Sequence, residues 1–122
     1  MKNTLAAVAA ILTLCAPLAH ADGSTGTTTF GRSDCGQWIA SPTETKKAWL
    51  LGYLSGTNMW NDMQIQYRSG GKDMGPDILG RVQSADQIYV WMDNYCRANP
   101  LRDVTDGAFI LWTELTFPNA KK

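Results

Sequence analysis

Histidine is nearly missing from this chain. The one copy, His20, lies close to the start, and cysteine is limited to Cys15, Cys35 and Cys96. Zinc and iron sites draw on those two residue types, so neither metal is expected. A cysteine nucleophile would also lack an imidazole base. An excess of charge of either sign is absent, since eleven acids balance eleven bases. Phosphate binding needs a basic face, so nucleic acid is not an expected partner. No basic amphipathic stretch suggests a membrane surface. The longest apolar run, Leu5 to Leu14, is too short to cross a bilayer. A phosphate loop, a serine elbow and a dinucleotide fingerprint are all lacking. Asp73 and Asp77 lack the dense alternation of carboxylates that makes a calcium loop. Asp103 and Asp106 are paired on one stretch without the two-sided cleft that glycoside hydrolysis requires. The chain therefore reads as non-enzymatic, with no cofactor and no metal.

What is present begins with Lys2, the apolar run and Ala19-His20-Ala21. That order is the pattern of a secretory signal peptide over residues 1–21, cut before Asp22. The residues before Cys15 do not match a lipoprotein cleavage box. The mature chain is expected in the periplasm or secreted, without membrane insertion. It keeps Cys35 and Cys96. Cys96, in "NYCRANPL", has three candidate roles: nucleophile, metal ligand or half of a disulfide. An even count in an exported chain favours a Cys35–Cys96 disulfide.

Residues 22–30, rich in Gly, Ser and Thr, read as a flexible leader. A helical domain follows over residues 31–118, and 119–122 form a solvated tail. The expected fold is all-α, a small single-domain bundle of about four helices. The first is short, Asp34 to Ala40, capped by Ser33, with Cys35 and Trp38 on one face. The second runs from Glu44 to about Met63 behind a Thr43 cap, with Trp49, Leu50, Tyr53 and Leu54 at helical spacing. An irregular loop spans about 64–84, with Ile78-Leu79 as its tie to the core; Met63 to Tyr67 is a second-choice strand. Ala85 to about Arg97 is the third helix, with a Ser84/Gln87 capping box and a stripe of Ile88, Trp91, Met92 and Tyr95. Asp93 and Arg97 stand in the favourable order for an ion pair. Asn99 is expected to cap a fourth helix that begins at Pro100, carries Leu101, Val104, Ala108, Leu111 and Leu115, and stops at Phe117-Pro118.

Two features point to function. Gly52 and Gly56 are four apart and share a helix face. Each costs about 1 kcal/mol of helix propensity relative to alanine. The expectation is close packing of another backbone, either a helix of this chain or a second copy in a homodimer. The other feature is the aromatic load, five tryptophans and four tyrosines. Trp49 and Trp91 are assigned to the core. Trp60 falls beside the glycine-rich loop, and aromatics in such places anchor protein partners. The expected partner surface is Trp60, Tyr67, Asp73, Met74 and Asp77.

"LGYLSG", a later helix ending before Asn-Pro and a last helix ending in Phe-Pro resemble the Rap/Tai family of small periplasmic immunity proteins. The residues that carry the likeness are Gly52, Tyr53, Gly56, Pro100, Phe117 and Pro118. The resemblance implies a helical, disulfide-bonded protein that neutralises a peptidoglycan-cutting effector delivered by type VI secretion. Cys35 near Trp38, with Cys96 after "WMDNY", is similar to the plan of the HdeA/HdeB acid-stress chaperones. That second resemblance implies a protein that loosens in acid and binds many clients. Both lead to a protein partner or client rather than a substrate; a purely structural periplasmic protein is the third reading.

Overall fold

The computed structural model describes residues 28–119 apart from Pro42. The expected signal peptide, most of the leader and the end of the tail lie outside the described residues. The architecture is an all-α bundle: α1 (Cys35–Ala40), α2 (Glu44–Ser69), a single 3-10 turn (Leu79–Arg81), α3 (Ala85–Ala98) and α4 (Val104–Thr116). No strand occurs among the described residues. A Cys35–Cys96 disulfide joins α1 to α3.

At six residues, α1 is too short to persist by itself. Asp34, not Ser33, caps it: Asp34 Oδ1 accepts from the Gln37 N–H at 2.7 Å. Ser33 is buried, and its carbonyl accepts from the Val104 N–H at 3.0 Å. The Cys35 N–H donates to the Arg102 carbonyl at 2.8 Å. These two bonds form one antiparallel bridge between Asp34 and Asp103, which fastens the start of α1 to the start of α4.

That bridge moves the start of α4. The chain around Asp103 is extended (φ −90°, ψ 153°), and Asp103 occupies the cap position. Asn99 instead closes α3, its side-chain amide donating to the Tyr95 carbonyl at 2.9 Å. Pro100 to Arg102 form a turn closed by an Arg102 N–H to Asn99 carbonyl bond of 3.0 Å. Leu101, expected on the apolar stripe, is therefore almost wholly exposed.

Helix α2 begins as expected, with Thr43 Oγ1 accepting from the Lys46 N–H at 3.4 Å. It runs past Met63 to Ser69, so the Met63–Tyr67 segment is helical and the irregular loop is shorter than 64–84. Met63, Gln64 and Gln66 in this segment, and Arg68 after it, are good helix formers. The stop is Gly70, left-handed at φ 65°, and the Gly71 N–H reaches back to the Gln66 carbonyl at 2.8 Å. In α3 the Ser84 hydroxyl makes no cap bond, and Gln87 accepts from the Gln83 N–H rather than that of Ser84.

The core gathers Cys35 and Trp38, Leu50 and Leu54, Ile88, Met92 and Cys96, and Val104, Ala108 and Leu111. Trp49 and Trp91 pack partly buried against it, each stacked on a tyrosine, Tyr53 and Tyr95 respectively. Asp93, expected to pair with Arg97, turns to the interior and accepts from Trp38 Nε1 at 2.7 Å. At Gly107, α4 packs tightly on α3: a Cβ there would lie 2.6 Å from Tyr95 Cδ1 and 2.8 Å from Met92 Sδ. Gly107→Ala is expected to destabilise by about 1–3 kcal/mol through overpacking, measured by urea unfolding. A stabilised variant would show that α3 and α4 do not meet at Gly107.

Candidate functional site

Below the 3-10 turn, the loop of residues 70–78 folds back over the C-terminal half of α2. Three side chains of α2 hold it there. Asp62 Oδ1 accepts from the Gly75 N–H at 2.7 Å, and Asp62 Oδ2 from Gln66 Nε2 at 2.8 Å. Asn58 Oδ1 accepts from the Ile78 N–H at 3.1 Å, while Asn58 Nδ2 donates to Asp77 Oδ1 at 2.9 Å. Further along, Ser69 Oγ accepts from the Asp73 N–H at 3.0 Å. Ile78 is buried at the end of this strap, as the sequence suggested. A Cβ at Gly75 would lie 2.8 Å from Ile65 Cδ1 and 3.1 Å from the Asp62 Cα, so glycine permits the close approach.

The strap leaves a cleft of about 280 Å³ against α2, lined by Met59, Asp62, Met74, Gly75 and Asp77 among others. Met59 and Met74 are 64% and 78% exposed, which leaves two thioether side chains in water at its rim. Asp62 and Asp77 add two carboxylates to the same lining. Methionine adapts to irregular apolar groups, and a carboxylate accepts strong charge-assisted hydrogen bonds from lysine or arginine. The chemistry thus suits a side chain with an apolar stem and a cationic head.

Of the expected partner residues, the structure brings Met74 and Asp77 together at this cleft, with the exposed Asp73 next to Met74 in the chain. Trp60 and Tyr67, 60% and 84% exposed, lie apart from it on the outward face of α2. Sequence reasoning missed Met59, Asn58 and Asp62. A signal for two of them existed: Asp62 is the one charged residue between Ala48 and Tyr67, and Asn58 stands one turn before it.

Gly52 and Gly56 are placed otherwise than an internal helix crossing requires. Both are exposed, and a Cβ on either would meet nothing within 4 Å. No described helix packs on them.

Among the described residues, the surroundings shift two groups from their ordinary pKa values, both outside the cleft. The Lys47 pKa is raised, first by its hydrogen bond to Glu44 and then by that carboxylate's charge. Burial, followed by the charge of Asp106, raises that of Tyr95. No group of three metal-ligating side chains occurs among the described residues, and no described helix is long and apolar enough to cross a membrane.

Asn58→Ala removes the two bonds that Asn58 makes to the strap, at Ile78 and Asp77. It is expected to cost about 1–2 kcal/mol and to speed amide exchange at Ile78, read by NMR. Unchanged exchange would show that the strap holds without Asn58. Compared with known protein families, curated proteins and solved structures, the chain matches none.

Proposed function

We propose that this is a non-catalytic, immunity-like protein of the periplasm that binds and neutralises a secreted cell-wall-degrading enzyme. The observation that carries the reading is the cleft, where exposed Met59 and Met74 stand beside Asp62 and Asp77 on a strap pinned to α2. Fixed geometry suits one cognate partner, because little ordering entropy is lost on binding. An enzyme that acts on an anionic wall polymer carries basic side chains by electrostatic complementarity. Such a side chain fits the cleft, its stem on the methionines and its head on the carboxylates.

The test is co-expression in the periplasm with wall hydrolases encoded beside this chain, scored by lysis, followed by titration calorimetry on the purified pair. Wild type is expected to prevent lysis and bind tightly. Asp77→Lys, which reverses charge at the rim, is expected to weaken binding at least 100-fold, about 2.7 kcal/mol, while the circular dichroism stays unchanged. The chaperone alternative gives a different result: no hydrolase bound, and suppression of client aggregation only near pH 2, where apolar surface opens. Protection by wild type that Asp77→Lys leaves intact would remove the cleft from the binding site.

A further inference from the structure

No three histidine, cysteine or carboxylate side chains are grouped to hold a metal ion among the described residues. Thioethers are the softer ligand class that remains, and three of them lie where the strap crosses α2. Met59 and Met63 stand one turn apart on the helix, so their side chains start about 5–6 Å from each other. Met74 comes from the strap. The Gly75 N–H, which belongs to the peptide after Met74, is held at 2.7 Å by Asp62 Oδ1. A Cβ on Gly75 would lie 3.1 Å from the Asp62 Cα. Position 62 falls within the turn that Met59 opens and Met63 closes, so the strap is pinned at the level of both. Met59 and Met74 line the cleft, and all three methionines are exposed. The remaining methionine after residue 21, Met92, is fully buried in the core.

We propose that Met59, Met63 and Met74 form a thioether site for a soft monovalent cation, Cu(I), with Ag(I) as its analogue. Ligand chemistry selects the ion. Thioether sulfur is soft and uncharged, and it favours Cu(I) over harder ions. Zinc and Cu(II) draw on imidazole and thiolate. No histidine lies among the described residues, and Cys35 and Cys96 are bonded to each other. Calcium and magnesium need several oxygen ligands. Both oxygens of Asp62 are engaged, by the Gly75 N–H and by Gln66 Nε2. Asp77 Oδ1 accepts from Asn58 Nδ2 and from the Gly80 N–H. The two carboxylates therefore supply charge more than ligation. No basic side chain lines the cleft, so a cation arrives in a region of negative potential.

The frame is fixed and the ligands are adaptable. Hydrogen bonds from Asn58 and Asp62 hold the strap backbone against α2. Methionine is unbranched with three rotatable bonds, so exposed thioethers can close on one ion while the backbone stays in place. The site is filled in the chain alone and does not depend on a bound hydrolase.

The test is a titration of the oxidised chain from residue 22 with Ag(I) nitrate in chloride-free buffer, followed by the methionine methyl signals in NMR. A parallel titration supplies Cu(I) as its acetonitrile complex under nitrogen. One equivalent of either ion is expected to bind, shifting the methyl signals of Met59, Met63 and Met74 and leaving that of Met92 in place. Zn(II) should shift none of them. Met59→Leu, Met63→Leu and Met74→Leu should each weaken binding by about 10-fold or more, since even outer-shell changes cost a metal site that much. Leucine keeps the apolar bulk at these exposed positions, so the circular dichroism should not change. A chain that leaves Cu(I) unbound, or one whose binding ignores Met74→Leu, overturns the proposal. An equal response to Zn(II) overturns the choice of ion. No hydrolase enters the measurement, so its outcome is separate from that of the lysis test.

Discussion

Breaking the Cys35–Cys96 bond is expected to lower the unfolding free energy by about 4 kcal/mol. The bond closes a loop across a sequence separation of 61 residues, and chain entropy in the unfolded state grows with such a loop. A small domain has about 5–15 kcal/mol in total, so the loss is a large share of it. The structure says where the damage falls. Helix α1 is a single short element that packs mainly on α3, and the bond is a direct covalent tie between the two. Both cysteines are buried, so paired serines would add buried hydroxyls to the loss of the tie. Paired alanines isolate the tie more cleanly. Urea unfolding with and without reductant gives the magnitude, and the melting temperature should fall by some 15 °C or more. The loss should appear first as a red shift of Trp38 fluorescence as α1 leaves the core. A cost under about 1 kcal/mol would mean that the Ser33–Val104 and Cys35–Arg102 backbone bonds hold α1 unaided.

The disulfide was legible because it follows from counting: Cys35 and Cys96 are the two cysteines left once residues 1–21 are read as a signal peptide. Helix α3 was legible for a different reason. Ile88, Met92 and Cys96 recur at single-turn spacing and all three are buried, so local periodicity and tertiary burial agree. The start of α4 was not. Asn99-Pro100 is a sound local start signal, but the Arg102 carbonyl is taken by the Cys35 N–H, a partner far upstream. A long-range bond overrode a local cap, and no window of neighbouring residues contains that information. The end of α2 fell between these cases. The alternation through Met63–Tyr67 put the end at about Met63, whereas the helix runs on until Gly70 takes the left-handed cap.

At the candidate site, the loop residues Met74 and Asp77 were legible because a long glycine-rich connection stands out. The residues of α2 that pin it were not, since Asn58 and Asp62 look like ordinary polar positions on a helix until the strap is seen to lie over them. The glycine pair shows the limit from the other side. Its spacing states that something small is wanted on that face, and only the structure shows that no described residue lies over it.

Trp38→Ala is expected to cost about 3–5 kcal/mol, comparable to loss of the disulfide. Trp38 is the largest side chain in the fully buried set, at 1% exposure, and it is the main apolar contribution of α1 to the core. Two effects are combined in that figure and can be separated. Trp38→Phe keeps most of the apolar volume but removes the indole N–H that donates to Asp93 at 2.7 Å. That leaves a part-buried carboxylate without its donor, at about 1.5–3 kcal/mol for a hydrogen bond to a charged group. Asp93→Ala removes the acceptor and strands the N–H. The double substitution leaves neither group unsatisfied, so its cost should fall short of the sum of the singles by about 1 kcal/mol or more in a double-mutant cycle. Additive costs would mean that Trp38 acts by volume alone and that Asp93 takes no part in holding α1 to α3. A clear coupling would instead make the Asp93–Trp38 bond the polar counterpart of the disulfide, a second tie between the same two helices.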